Sequence, residues 1–303
     1  MLNNKNSNIE IKRIVILGHT GFIGSHLENF FKNNTNIAVV GKDLPLVDLT
    51  NYSSVLSLKD FFDMDTAVIM CSAIKRDQGD NTDNFLKNIK MVINICRLME
   101  TYPVKRFLFF SSAAVYGEDI HNLNISEKTD INPTSYYGMA KYISERLLRK
   151  TFDSKDNSNL IIVRPTVIYG PGDRPCYGPS GFINSAVNGE AITLWGDGTE
   201  KREFIFIEDA IKLINNLIFD EYDGVLNVAS CKSYAFSEII DMVSSLTNSN
   251  IEINSRERTK NKVDNEFDNS ALLKIFPEFT FTPLKEGIQK TVESLKSRKI
   301  AGA

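Results

Sequence analysis

The sequence predicts an α/β chain built on a doubly wound parallel sheet, with a smaller C-terminal lobe. Three observations carry this expectation. The strand-sized apolar runs at 14–17, 66–70, 107–110 and 160–163 are nearly continuous rather than alternating, as strands buried on both faces require. Stretches of helical periodicity separate them, the order that a parallel sheet with crossover helices produces. After residue 168 the alternation breaks, and Pro171, Gly172, Pro175, Gly178, Pro179 and Gly181 mark irregular loops. The expected division is 1–168, with 204–230 rejoining, for the first domain, and 169–203 with 231–303 for the lobe. A chain of 303 residues has room for both.

The first strand, 9–17, carries Ile11, Ile14, Val15, Ile16 and Leu17. Gly18-His19-Thr20-Gly21-Phe22-Ile23-Gly24 follows, and a helical pattern runs over 25–32. Strand, glycine turn and helix in that order form a dinucleotide-binding element of Rossmann type. The glycines permit a tight turn and let a pyrophosphate approach the free N–H groups of a helix N-terminus. Gly18, Thr20, Gly21, Phe22, Ile23 and Gly24 are therefore candidate cofactor contacts, although the spacing is G-x-x-G-x-x-G rather than G-x-G-x-x-G. The second strand, 37–40, leads into Gly41, Lys42 and Asp43, where the residue that holds an adenosine ribose belongs. Asp43 on the ribose diol would mean NAD and Lys42 on a 2′-phosphate NADP, with a solvated turn as the bland alternative. Both cofactors stay open, NAD ahead. Asp48 and Leu49 come after a short link and are placed to reach adenine. A helix over 52–62 leads to the strand 66–70, which ends in Cys71-Ser72-Ala73, small residues that let a ligand lie against the backbone. The helix 83–102 is apolar on more than one face, which suits packing on the sheet and on a partner subunit.

The strand 107–110 stops at Ser111-Ser112-Ala113-Ala114-Val115-Tyr116-Gly117, and the next helix opens with Tyr136-Tyr137-Gly138-Met139-Ala140-Lys141 and continues to 150. Positions i and i+4 share a helix face, so Tyr137 and Lys141 point the same way, a spacing that Tyr136 lacks. A phenol titrates near ~10, and a cation beside it favours phenolate. That is what a general acid/base acting on a sugar hydroxyl or ketone needs. The strand 160–163 closes on Arg164-Pro165-Thr166-Val167-Ile168-Tyr169-Gly170-Pro171-Gly172. A turn over 196–203, a strand 204–207, a helix 209–218, a strand 225–228 rejoining the sheet and a helix 236–246 follow. The charged stretch 252–268 reads as a loop or solvated surface, and 291–299 as a C-terminal helix.

Composition excludes other classes. Net charge is −3 without a long basic run, which argues against nucleic acid as partner. The apolar runs are too short to span a membrane. Residues 1–8 are polar and lack the apolar core of a signal peptide, so a cytoplasmic location is expected. Cys71, Cys96, Cys176 and Cys231 show no metal-ligand spacing and read as reduced thiols, with no metal implied.

Taken together, these segments resemble the extended short-chain dehydrogenase/reductase family, in its NAD(P)-dependent nucleotide-sugar epimerase/dehydratase branch. GHTGFIG at 18–24 resembles the phosphate loop, FFSSAAVYG at 109–117 the strand bearing the catalytic hydroxyl, and Tyr137 with Lys141 the YxxxK pair. RPTVIYGPG at 164–172 and GDGTEKREFIFIEDA at 196–210 resemble the segments bordering the sugar-nucleotide cleft. The resemblance implies a Rossmann-type sheet, a C-terminal substrate-binding lobe, bound NAD or NADP, a nucleotide-diphosphate sugar as substrate and a homodimer joined through helices 83–102 and 136–150. It implies roles as well. Tyr137 would be the acid/base, Lys141 would bind the nicotinamide ribose and lower the Tyr137 pKa, and Ser112 would hydrogen-bond the reacting oxygen. Cys71, Ser72, Ala73 and Pro165 would border the cofactor, and Ala113 and Val167 the sugar. Arg202 would meet the diphosphate, with Arg258 or Arg256 as a second contact, because a guanidinium fork suits paired oxygens.

Departures from the family pattern narrow the chemistry. Sugar 4,6-dehydratases carry an Asp-Glu pair where this chain has Ala113-Ala114, and fucose-synthase-type enzymes carry a Cys at the second of these positions. Alanine moves no proton. Val167 stands where many relatives place a substrate-contacting Asn. What remains is hydride transfer at one carbon: a 4-epimerase, or alternatively an NDP-4-keto-sugar reductase or NDP-sugar 4-dehydrogenase. SSAAVYG resembles the epimerases, and the short link after the second strand resembles the reductases. A non-catalytic dinucleotide-binding regulatory protein is the reading from another class, and the intact Ser112, Tyr137 and Lys141 argue against it.

Overall fold

A computed structural model describes residues 10–153, 155–176, 178–258 and 261–301. Its elements in chain order begin with β1 (Arg13–Leu17), α1 (Phe22–Asn34), β2 (Ala38–Lys42), α2 (Tyr52–Val55), β3 (Thr66–Met70), α3 (Thr82–Thr101) and β4 (Arg106–Phe110). They continue with β5 (Asn122–Ile125), α4 (Tyr136–Phe152), β6 (Asn159–Pro165), β7 (Val167–Tyr169), α5 (Gly178–Asn188), β8 (Ile192–Trp195) and β9 (Lys201–Phe206). The last are α6 (Ile207–Phe219), β10 (Gly224–Val228), β11 (Ser233–Ala235), α7 (Phe236–Thr247), β12 (Ile253–Arg256), β13 (Asn265–Phe267), α8 (Ser270–Ile275) and α9 (Leu284–Ala301).

The chain divides into two compact units: one comprises the chain up to Gly117 with Ile131–Arg164 and Ile211–Leu226, the other Glu118–Asp130, Pro165–Ala210 and the chain from Asn227 onward. The first unit is organised by a six-stranded sheet in the order β10-β6-β4-β3-β1-β2. Its pairings β1–β2, β1–β3, β3–β4 and β4–β6 are parallel. Successive side chains on a strand face opposite sides. Val15, Leu17, Val68, Met70, Phe107, Phe109, Leu160 and Ile162 pack with Met91, Val92, Ile95, Leu98 and Met99 of α3 and Leu148 and Phe152 of α4. The alternate set, Ile14, Ile16, Ile69, Leu108 and Ile161, is equally buried, so the sheet is covered on both faces. Each such aliphatic side chain contributes about 1.5–3 kcal/mol on leaving water, which is why the runs are continuous in sequence. Strand order reverses beside β1, with β2 on one side and β3 on the other, and ligands of open α/β sheets bind at the carboxyl ends of strands at such a reversal.

The second unit holds a three-stranded sheet, β11-β9-β7, and two strand pairs, β12–β8 and β13–β5. A small core of Ile192, Leu194 and Ile240, flanked by Phe182, Phe236 and Ile251, binds its helices to β8. Several expectations change here. The strand at 201–206 pairs with β7 and β11 rather than returning to the six-stranded sheet, whereas α6 from Ile211 and most of β10 belong to the first unit. The charged stretch 252–268, of which 259 and 260 lie outside the described residues, contains β12 and β13. Their partners, β8 and β5, lie 61 or more residues earlier in register (Ile253 on Ile192), beyond the reach of local pattern. The C-terminal helix starts at Leu284, because Leu284, Ile288 and Val292 form a buried stripe four residues apart. The expected helix 52–62 is a single α-turn followed by a 3₁₀ turn, Leu56–Phe61. The expected strand 9–17 begins at Arg13, and residues 1–9 lie outside the described residues. No helix among the described residues is long and apolar enough to cross a membrane.

Candidate active site

The turn after β1 is shaped by close backbone approach. Gly18 has φ 89, and a Cβ on Gly24 would stand 2.1 Å from Gly18 O, so the first turn of α1, opened by Phe22 and Ile23, is pressed against the loop. Gly21, the N-cap, supplies no side-chain cap to this 13-residue helix, leaving first-turn N–H groups for an anion. Cys71 N and Ser72 N both donate to Leu17 O, bringing the end of β3 beside the turn. Two buried polar atoms here, His19 Nδ1 and Ser72 Oγ, have no hydrogen-bond partner. A buried polar atom left so costs about 1–3 kcal/mol, which a polar ligand would offset. The cradle fits a dinucleotide.

At the end of β2, Thr20 Oγ1 donates to Asp43 Oδ2 at 2.5 Å and Leu44 N to Asp43 Oδ1 at 2.9 Å. The Lys42 ammonium lies 4.2 Å from the centre of the Phe61 ring. Asp48 Oδ1 accepts from Thr50 N and Thr50 Oγ1, so this carboxylate folds its own turn, and Leu49 is buried. Two asparagines of α3 escaped the sequence reading. Asn88 accepts from Ile74 N at 2.8 Å and donates to Ile74 O at 3.0 Å, fixing the segment just after Ser72-Ala73. Asn94 donates to Leu49 O. A polar residue on a buried, otherwise apolar helix face was their signal.

The reactive corner lies at the end of β4. Lys141 is 5% exposed, and its Nζ donates to Phe110 O at 2.6 Å. That nitrogen stands 4.8 Å from the Phe109 ring centre and 5.6 Å from the Tyr137 ring centre. Burial lowers its pKa from 10.5 to about 8, with the Glu145 charge opposing. Tyr137 is half-buried; its backbone N–H donates to Asp80 Oδ1 at 3.0 Å, while Ser135 caps α4 through Gly138 N. Ser112 opens a 3₁₀ turn, Ala113–Tyr116, with its Oγ accepting from Ala114 N. A Cβ on Gly138 would lie 2.6 Å from Ala114 O, so α4 rests directly on that turn. Ser112, Tyr137 and Lys141 thus share one corner of the first unit. Burial pushes the neighbouring Cys71 thiol up to about 12, against the pull of Lys141, so it stays neutral at pH 7.

Behind this corner runs a buried ion pair that the sequence reading also missed. Arg164 Nε and Nη2 donate to Glu145 Oε1 and Oε2 at 2.9 and 2.6 Å, Arg164 Nη1 donates to Tyr116 OH at 2.8 Å, and Ser111 Oγ donates to Glu145 Oε1. Burial disfavours the charged guanidinium, but the Glu145 hydrogen bonds and charge more than offset this and raise the Arg164 pKa. Glu145 lies four residues after Lys141, so a carboxylate on the inward helix face was the available clue.

The remaining candidates belong to the second unit. Val167 starts β7 opposite Phe204, and Pro165 ends β6. Arg202 and Arg258 line a cavity of about 190 Å³ with Trp195, Glu200 and Val263 among its walls. Both arginines meet one carboxylate, Glu200. Arg256 instead stands 6.0 Å above the Trp195 ring, so Arg258 is the arginine that joins Arg202.

Comparison with known proteins places the chain. A Methanocaldococcus jannaschii protein provisionally named UDP-glucose 4-epimerase is 25% identical over 254 residues, 76% of this chain and 81% of the relative. Among solved structures, Thermus thermophilus UDP-glucose 4-epimerase in complex with NAD superimposes with a TM-score of 0.82 at 21% identity, covering 94% of this chain and 99% of the other. Methanobrevibacter ruminantium UDP-N-acetylglucosamine 4-epimerase, in complex with UDP-N-acetylmuramic acid, gives 0.83 at 23% identity, covering 95% and 99%. The profile of the NAD dependent epimerase/dehydratase family matches residues 14–229. Because that match spans well over half of the chain, the protein belongs to the NAD dependent epimerase/dehydratase family of enzymes, whose members act on nucleotide sugars.

Proposed function

We propose that the protein is a nucleotide-diphosphate-sugar 4-epimerase that uses NAD and takes Tyr137 as its acid/base. The observation that carries this reading is Lys141, a buried cation held by Phe110 O with its nitrogen beside the Tyr137 ring. A cation in that place favours the phenolate, and a phenolate takes the proton of a sugar 4-hydroxyl and returns it to the 4-keto oxygen. Ser112 Oγ donates to the same oxygen and fixes its direction. Bound NAD supplies hydride acceptance and return at C4. Ala113 and Ala114 bring no second titratable group, so the chemistry stays at one carbon. Within the second unit, Arg202 and Arg258 are the diphosphate contacts of this reading.

Asp43 supports NAD over NADP: its carboxylate is already oriented by Thr20 and Leu44 N–H, and it would repel a 2′-phosphate, while Lys42 lies over Phe61. We propose a homodimer, supported by the apolar residues that α3 and α4 leave exposed, Leu86 (57%) and Ile93 on one, Tyr136, Met139 and Ile143 on the other. Sedimentation of the full chain at twice its monomer mass is the expected result. A cytoplasmic location accords with Cys71, Cys96 and Cys231 not being joined in disulfides.

The test offers UDP-glucose and UDP-N-acetylglucosamine to the purified protein. The 4-epimer should form with no net change in nicotinamide absorbance, and Tyr137→Phe should lower turnover about 10³-fold with nucleotide-sugar binding kept. Net formation of NAD(P)H from the sugar nucleotide would assign a 4-dehydrogenase instead, and net consumption of NAD(P)H on a 4-keto sugar nucleotide a 4-keto reductase. Near wild-type turnover by Tyr137→Phe would overturn the mechanism.

A further inference from the structure

The second unit carries a charge cluster of its own around the cavity of about 190 Å³, lined by Arg202, Arg258, Trp195, Glu200, Glu118 and Asp119 among others. One carboxylate closes both guanidinium forks: Glu200 Oε1 lies 2.5 Å from Arg202 Nη2, and Oε2 lies 2.6 Å from Arg258 Nη1. The other described hydrogen bonds of the two arginines go to carbonyl oxygens or, for Arg258, to a more distant carboxylate. Arg202 Nη1 donates to the carbonyls of Lys201 and Val263, and Nη2 reaches Glu118 O at 3.5 Å. Arg258 Nη2 reaches Asp197 Oδ1 at 3.5 Å, while Asp264 is paired with Lys262. A carboxylate that gives one oxygen to each of two guanidiniums stands in for two oxygens of a bridging anion.

We infer that Glu200 is a resident counter-anion which a diphosphate must displace from Arg202 and Arg258, and that it thereby sets which anions this cavity accepts. The inference rests on the reading of Arg202 as a diphosphate contact given above. Two anions cannot share the same forks without like-charge repulsion, so the entering ligand must satisfy both arginines as Glu200 does. A diphosphate presents an oxygen from each phosphoryl group, one per fork. A single phosphate spans the pair less well and gains less from expelling the carboxylate. Meanwhile the arginines stay ordered with their partner in place, so the site is shaped before the ligand arrives.

Trp195 is the chain's single tryptophan, 53% exposed and part of the cavity wall, so its emission reads binding directly. Wild-type protein, Glu200→Gln and Glu200→Ala are titrated with inorganic pyrophosphate, inorganic phosphate and UDP at fixed ionic strength. Pyrophosphate and UDP should bind about tenfold more tightly once the carboxylate is gone, and phosphate should gain less. A gain in either variant bears the inference out; unchanged or weaker pyrophosphate binding in both overturns it. Sugar-nucleotide turnover, measured separately, keeps the two failures apart. Turnover without an affinity gain sinks the displaced-anion reading alone, and an affinity gain without turnover sinks the proposed reaction alone.

Discussion

Lys141 in the first unit is a buried cation and the arginine pair in the second is half-buried, and their surroundings are unlike. Lys141 meets a backbone carbonyl and two aromatic faces, and the carboxylate nearest on its helix face, Glu145, is taken up by Arg164. Arg202 and Arg258 meet a carboxylate at once. A cation held by dipoles keeps its charge available to a phenol whose own charge changes during a reaction. A cation held by a carboxylate is neutralised in advance and can only exchange one anion for another. On the proposed reading, the same charge would serve proton chemistry in one unit and anion recognition in the other.

Lys141→Met breaks this contrast at its first side and should have the largest effect. Turnover should fall about 10²–10⁴-fold, and the acid limb of the pH–rate profile should move to higher pH, because the phenol loses its neighbouring cation. The same variant reports on stability. The folded-state pKa of Lys141, about 8, lies below the 10.5 of an unfolded lysine. Between these values the unfolded chain binds more protons, so wild-type stability should rise with pH from about 8 to 10.5, and the methionine variant should lack that rise. Thermal melts of the cofactor-free protein across this window decide it.

Glu145→Gln sharpens the contrast from behind. It leaves the Arg164 guanidinium buried opposite a neutral amide, and loss of one partner of a buried pair costs about 3–5 kcal/mol. Urea unfolding should show that loss, and a midpoint unchanged within error would mean that water reaches the pair. Asp43→Asn, away from both cations, should have the smallest effect: about a tenfold fall in the preference for NAD over NADP, read as the ratio of the two dissociation constants.

How much of this was legible in sequence depended on chain distance. The glycine turn and the Tyr137–Lys141 pair are short-range patterns, seven residues and four apart, and local geometry alone places them. The continuous apolar runs announced a sheet covered on both faces for the same reason. Contacts between distant segments left weaker traces. Glu145 finds Arg164 across 19 residues, and Asp80 finds Tyr137 N across 57. The strands β12 and β13 are mostly polar, and only their partners β8 and β5 make them strands. Arg202 was singled out from its motif, but nothing local indicated that Glu200, two residues earlier, would also clasp Arg258.

The bond from Tyr137 N–H to Asp80 has one more consequence. An amide in the first turn of a helix has no partner within that helix, so this proton depends on a side chain borrowed from the segment between β3 and α3. Whenever that segment swings away, the amide meets water. Its hydrogen-exchange rate is thus a clock, counting how often the wall beside the tyrosine opens, and it ticks at the residue proposed as the acid/base.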